Sequence, residues 1–269
     1  MNKTIFITGA SQGLGKVTAK LFAAKGWIVI ATMRNPEKET ELSQLSNVHL
    51  LKLDISNAKQ IIDVVADAEK ISPIDVLFNN AGFGLAGPLE AVTNSQLEKL
   101  INTNLLGTIF VTKAFIPFFK KRNNGTIITT TSSTAYIPYP FIAVYEATKA
   151  ALENWTASMS YELGRFGIDT KTVVPGYMQT NFGNNGEFVS HPDYQEDFNK
   201  YIKVLKSEIG SISDNPEDIA MVVFEAATDN KKQINYIAGN HATKEVEWFK
   251  KEGMEVVIQT MKERFFDQK

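Results

Sequence analysis

The 269 residues contain no cysteine. That absence excludes disulfides and thiolate catalysis but does not fix the compartment. Histidine is nearly as scarce. His49, His191 and His241 stand far apart without metal-ligand spacing, so no metal centre is expected. Charge of one sign is also missing: 28 Lys and Arg against 30 Asp and Glu leave a net charge of −2. With no basic stripe, nucleic acid is not an expected partner. The longest apolar runs are strand-sized, which argues against a membrane span or a signal peptide and favours a cytoplasmic protein. No repeat or low-complexity tract is visible.

What the chain does have is alternation. β-branched and aromatic runs predict strands over 3–8, 27–32, 48–53, 74–78, 125–131, 168–174 and 234–238. Between them, helical patterns are predicted over 14–25, 37–45, 57–70, 94–122, 141–165, 216–228 and 243–265. Asn35-Pro36, Ser56-Asn57 and Asn215-Pro216 each place a capping residue before a helix. Pro117 should kink or end the helix that contains it. Regular alternation implies an α/β fold: one doubly wound domain, 1–269, of Rossmann type, with seven parallel strands flanked by helices. The polar segment 181–214 reads as an irregular insertion covering the active site, and 243–265 as a C-terminal helical extension.

Two short stretches carry chemistry. The first is Thr8-Gly9-Ala10-Ser11-Gln12-Gly13-Leu14-Gly15. It lies between the strand-like Thr4-Ile5-Phe6-Ile7 and a helix closed by Gly26, the context that a dinucleotide fingerprint requires. Glycines there let backbone approach a pyrophosphate, and the helix start offers free N–H groups to its charge. The second is Tyr145-Glu146-Ala147-Thr148-Lys149. Four residues apart on a helix, Tyr145 and Lys149 share a face. A cation beside a phenol favours phenolate, drawing its pKa from near ~10 toward the range of an acid–base catalyst.

These stretches, with Asn79-Asn80-Ala81-Gly82, a serine before the tyrosine, and Pro175-Gly176 followed by Thr180, resemble the short-chain dehydrogenase/reductase family, single-domain branch. The resemblance implies four catalytic residues. Tyr145 would be the proton donor, and Lys149 its modulator and a ribose ligand. For the serine, counting forward from Gly125 and back from Tyr145 both give Ser132 rather than Ser133. For the asparagine, Asn104 stands three before a glycine where Asn102 does not. Its backbone carbonyl would hold a water in a relay from Lys149 to solvent.

The cofactor implied is NADP(H). NAD-preferring members carry an acid where Met33 stands. Here the acid is missing and Arg34 follows, suited to a 2′-phosphate, with Ser11 adding a hydroxyl. The remaining cofactor contacts implied are Gly9, Gly13, Leu14, Gly15, Asp54, Ile55, Asn80, Ala81, Gly82, Pro175, Gly176 and Thr180, besides Tyr145 and Lys149. Phe83, Tyr136 and Tyr177 are the expected substrate contacts, with Ile137, Pro138, Phe182 and Phe188 able to extend an apolar pocket.

The segment Ala31–Asn35 and the long C-terminal helix are similar to the branch of retinol- and 17β-hydroxysteroid-dehydrogenase-like enzymes and bacterial carbonyl reductases. The activity implied is interconversion of a bulky apolar ketone or aldehyde with its alcohol. Pairing through 94–122 and 141–165 into a homodimer or homotetramer is implied too. Two alternatives differ in class: an NADP(H)-binding sensor or scaffold without turnover, and an NAD-dependent epimerase or dehydratase. Against the second stand its different glycine spacing and larger substrate domain.

Overall fold

Thr4–Thr8 (β1) is buried at every position, as an unbroken apolar and β-branched run requires of a strand covered on both faces. The computed structural model describes residues 2–180, 182–183 and 186–266. After β1 come α1 (Gly13–Ala24), β2 (Ile28–Met33), β3 (Val48–Lys52), α2 (Ala58–Ile71), β4 (Val76–Asn79) and β5 (Leu85–Ala86). The middle of the chain forms α3 (Asn94–Ile101), α4 (Thr108–Arg122), β6 (Gly125–Thr130), α5 (Ala143–Leu163) and β7 (Ile168–Pro175). The last part holds β8 (Glu187–Phe188), α6 (Gln195–Ile212), α7 (Pro216–Thr228), β9 (Asn235–Ala238), α8 (Asn240–Glu252) and α9 (Met254–Phe265).

Seven strands form one parallel sheet in the order β3-β2-β1-β4-β6-β7-β9. The order reverses between β1 and β4, and the crevice beyond their carboxyl ends is where such sheets bind ligands. Each face has its own core. Phe22 and Trp27 pack edge-on, centroids 5.0 Å apart, with Val223 and Ile219 of α7 on one side. On the other, Phe6 meets Phe115 at 4.9 Å and Phe115 stacks on Phe119 at 5.7 Å. A third cluster lies beyond the sheet, where Tyr139 and Phe141 meet Tyr201 of α6 and Phe265 of α9.

Two of the expected caps form as side-chain bonds: Asn57 accepts from the Gln60 N–H and Asn215 from the Glu217 N–H. Four expectations are corrected. Residues 37–45 make two 3₁₀ turns, Pro36–Lys38 and Leu42–Gln44, because Glu39 between them turns its carboxylate onto the N–H groups of Glu41 and Leu42. The helix 94–122 is split by a π-helical turn over Asn102–Gly107, and Pro117 does not end α4, which stops at left-handed Asn123. The insertion 181–214 contains the 18-residue α6 and pairs β8 in parallel with β5. The C-terminal helix is two helices, broken at Gly253 with φ 81.

Candidate active site

The glycine turn is built for contact. A Cβ at Gly9 (φ +68) would stand 2.8 Å from Ala81 Cα, and one at Gly15 would stand 2.4 Å from the Gly9 carbonyl oxygen. Only glycine lets the turn, the helix start and Asn80–Gly82 close together. Asn80 Nδ2 holds them there, donating to the Thr8 and Gly9 carbonyls at 3.1 Å each. Thr8 Oγ1 in turn accepts from the N–H groups of Asn80 (2.9 Å) and Ala81 (3.1 Å). Thr8 was not singled out from the sequence, although its place at the end of β1, facing the NNAG stretch, is the signal that could have found it. Gly13 lies 3.6 Å from the Thr180 methyl, measured from its Cβ position, so the two distant motifs meet.

α1 starts without a side-chain cap and without an acidic residue in its first turn. Its first N–H groups, beside buried Leu14, are therefore open to an anion. At the end of β2, Arg34 and Ser11 are exposed, and among the described residues Arg34 makes no ion pair or hydrogen bond. Met33 is only 3% exposed and packs in the core, so the expectation that a ribose-binding acid would stand there is corrected: the exposed position after β2 is Arg34. Asp54 accepts from the Ser56 N–H (2.9 Å) and hydroxyl (2.7 Å), and the Ile55 carbonyl lies against Gly107.

Asn104 is buried inside the π-helical turn. Its amide is held by Phe83 in both directions: Nδ2 donates to the Phe83 carbonyl at 2.9 Å and Oδ1 accepts from the Phe83 N–H at 3.0 Å. A π turn disturbs the i→i+4 ladder, and the Asn104 carbonyl takes a bond from the Thr108 hydroxyl at 3.1 Å. Gly82 brings this turn to Lys149: from its Cβ position, Asn104 Oδ1 is 3.3 Å away and Lys149 Nζ 3.8 Å.

Lys149 is 4% exposed and donates to the Thr130 carbonyl at 2.9 Å. Burial draws its amine down to about 8. Its Nζ is 5.8 Å from the centre of the Tyr145 ring. The Tyr145 phenol shares a hydrogen bond with Ser132, whose oxygen also accepts from the Thr134 N–H at 3.2 Å. The lowering expected from Lys149 is not what governs this phenol. Burial pushes it up to about 12; the Ser132 bond pulls downward, and the Glu146 charge adds to the rise. Ser133, its neighbour, offers its backbone carbonyl to the N–H groups of Tyr136 and Ile137.

The substrate candidates separate. The Phe83 backbone stays at the site through Asn104 while its ring lies 5.3 Å from Lys99 Nζ, and Phe182 covers Tyr145 with ring centroids 6.0 Å apart. Tyr136 is engaged elsewhere, donating to Glu153 at 3.0 Å and packing on Phe249. Tyr177 hydrogen-bonds Tyr201 and lies 5.3 Å from the His241 ring, within the third cluster. Pro175 ends β7 opposite Ala238, and Gly176 is where His241 approaches: a Cβ there would be 2.6 Å from its Nδ1.

The sequence profile of the short chain dehydrogenase family matches residues 3–187. The chain belongs to the short-chain dehydrogenase family. Among its relatives, the chain is 32% identical to the oxidoreductase YusZ of Bacillus subtilis over 253 residues, 89% of this chain and 90% of that one. It is 31% identical to 3-ketodihydrosphingosine reductase of Bacteroides thetaiotaomicron over 211 residues, 76% of each chain. The crystal structure of a short-chain dehydrogenase from Streptomyces avermitilis superposes with a TM-score of 0.83 at 26% identity, covering 98% of this chain and 96% of that one. Short-chain dehydrogenases are oxidoreductases of small molecules, and the glycine cradle and uncapped helix of this one fit a dinucleotide. No helix among the described residues is long and apolar enough to cross a membrane.

Proposed function

We propose that this protein is an NADP(H)-dependent carbonyl reductase or alcohol dehydrogenase acting on a bulky apolar substrate. The observation that carries the reading is the Tyr145 phenol hydrogen-bonded to Ser132, one turn before buried Lys149, at the open end of the sheet beside the glycine cradle. Bound nicotinamide would supply the hydride, or take it in the reverse direction. Tyr145 gives its proton to the carbonyl oxygen during reduction. Ser132 holds that oxygen and stabilises the charge that develops on it. Lys149 positions the ribose and passes protons toward the Asn104 turn. The Phe182 ring beside Tyr145 shields the reacting carbon from water.

A site for a phosphorylated ribose is supported by Arg34 and Ser11, both exposed beside the glycine turn. Arg34→Ala is expected to weaken NADPH by about an order of magnitude or more, the worth of a charge-assisted bond at ~1.5–3 kcal/mol. NADH should be affected far less. Comparing kcat/KM for the two cofactors checks this, and equal losses would make Arg34 a bystander. A screen of NADPH consumption over ketones and aldehydes, beside NADP⁺ reduction over alcohols, tests the activity itself. Binding without turnover across that panel would favour the sensor or scaffold reading instead.

A further inference from the structure

We propose that Glu153 is a positioning residue for the reaction: through the Tyr136 hydroxyl it holds the turn that carries Ser132 against α5, and so keeps Ser132 on the Tyr145 phenol. The proposal rests on the reading of Ser132 and Tyr145 as the groups that meet the carbonyl oxygen.

Tyr145, Lys149 and Glu153 recur at every fourth residue of α5 and share one stripe of it. The first two belong to the reaction centre. At the third, donors from three other elements converge on Glu153 Oε1. The Tyr136 hydroxyl reaches it at 3.0 Å from the loop after β6, and the Thr172 hydroxyl at 3.0 Å from β7. The Asn235 side-chain amide of β9 is the third donor, and it also donates to Thr172 Oγ1 at 3.1 Å. An oxygen with only donors around it is an acceptor, the part an ionised carboxylate plays. Oε2 is buried with no partner among the described residues, so every bond this carboxylate makes there serves the one junction.

Tyr136 is rigidly linked to Ser132. Ser132 starts a 3₁₀ turn over Ser133–Ala135, and Tyr136 ends it. Within that turn the Ala135 N–H donates to the Ser132 carbonyl at 3.0 Å and the Tyr136 N–H to the Ser133 carbonyl at 2.9 Å. The Thr134 N–H holds Ser132 Oγ itself at 3.2 Å. A turn closed by these bonds moves as one body, so releasing its Tyr136 end swings the Ser132 hydroxyl at the other. Burial, and then the Glu153 charge, hold the Tyr136 phenol well above its ordinary value, so it stays a donor.

The partners of the Ser132–Tyr145 bond therefore stand on two elements that Glu153 joins. Two further bonds cross the same gap: Lys149 Nζ to the Thr130 carbonyl at 2.9 Å, and the Tyr139 N–H to Glu146 Oε1 at 2.6 Å. They grip the chain before and after the turn, whereas the Tyr136 hydroxyl grips the turn itself. Because they remain when it is lost, the expected effect is partial.

The experiment compares Tyr136→Phe, Ser132→Ala and the double variant with the wild type, on the ketone and alcohol turned over best in the carbonyl screen. Tyr136→Phe leaves the ring on Phe249 and two donors on Glu153, and a melting curve checks that the fold persists. It should lower kcat by roughly two- to tenfold, the worth of one hydrogen bond. KM for NADPH should not change, since no bond of the junction reaches the glycine turn. The alkaline limb of alcohol oxidation should move to higher pH, because the Ser132 bond that pulls the Tyr145 phenol down is loosened while Lys149 and Glu146 keep their places. In the Ser132→Ala background, Tyr136→Phe should cost almost nothing more. Glu153→Met should repeat Tyr136→Phe, and Glu153→Gln, which keeps an oxygen for the Tyr136 hydroxyl, should restore most of the rate. Equal losses from Tyr136→Phe with and without the Ser132 hydroxyl would overturn the proposal, as would an unchanged kcat and alkaline limb whatever the melting temperature. So would Glu153→Gln as slow as Glu153→Met. A harmless Ser132→Ala would instead remove the reading of Ser132 on which the proposal stands.

Discussion

Tyr145→Phe is expected to lower turnover by at least about 10²–10⁴-fold, the usual contribution of a positioned acid–base group. NADPH binding should remain largely intact. The change removes one hydroxyl and leaves the ring, so the packing on Phe182 persists while the proton donor and the bond to Ser132 disappear. Lys149→Met should damage both binding and turnover, because its amine meets the Thr130 carbonyl at the base of the site and is the proposed ribose ligand. Single-turnover rates beside NADPH titrations separate the two effects. Substantial activity in Tyr145→Phe, on a ketone that the wild type reduces well, would sink the mechanism.

The same pair fixes the sign of the pH dependence. Burial holds the Tyr145 phenol up at about 12 and draws Lys149 down to about 8. At neutral pH the phenol is protonated, the form that ketone reduction needs. Alcohol oxidation needs phenolate, so its rate should climb with rising pH, whereas reduction should fall as Lys149 and then the phenol lose their protons. The positive charge of oxidised nicotinamide would favour phenolate and bring that climb to lower pH. Profiles of kcat/KM in both directions check this; an oxidation rate that fell as pH rose through neutrality would contradict it.

Residues whose chemistry dictates their spacing were legible from the chain. Gly9 and Gly15 had to lack a Cβ, Tyr145 and Lys149 had to sit one helical turn apart, and Ser132 had to end its strand. In the structure the two glycines close against Ala81 and the Gly9 carbonyl, Ser132 follows the end of β6 and meets the Tyr145 phenol, and Lys149 bonds the Thr130 carbonyl. Side-chain direction was not legible. Tyr136 and Tyr177 adjoin the motifs in sequence, yet their hydroxyls turn to Glu153 and Tyr201, because a loop residue's orientation depends on packing that arrives from the C-terminus. α6 was missed because Phe198, Tyr201 and Val204 form a thin apolar stripe among charges, and it packs on α9, an element of high sequence separation. The π turn at Asn102–Gly107 has no composition of its own. Its mark is a buried asparagine, visible only once Phe83 is placed against it.

The adjacent serines give the sharpest contrast in the site. Ser132→Ala should lower kcat by about 10²-fold or more, the scale of one lost oxyanion donor. Ser133→Ala should be mild, because what Ser133 contributes to Tyr136 and Ile137 is its backbone carbonyl, which alanine retains. The two directions of reaction should not suffer equally in Ser132→Ala. The Ser132 hydrogen bond is the interaction that opposes the effect of burial on the Tyr145 phenol, so without it the phenol rises further above its ordinary value. Reduction then loses the group that holds its oxygen, while oxidation loses that group and also some of its phenolate. Alcohol oxidation should therefore fall more than ketone reduction, and its alkaline limb should move to higher pH. Steady-state rates of both serine variants in both directions decide the matter: if Ser133→Ala were the more damaging, the hydroxyl that meets the substrate would be the other one.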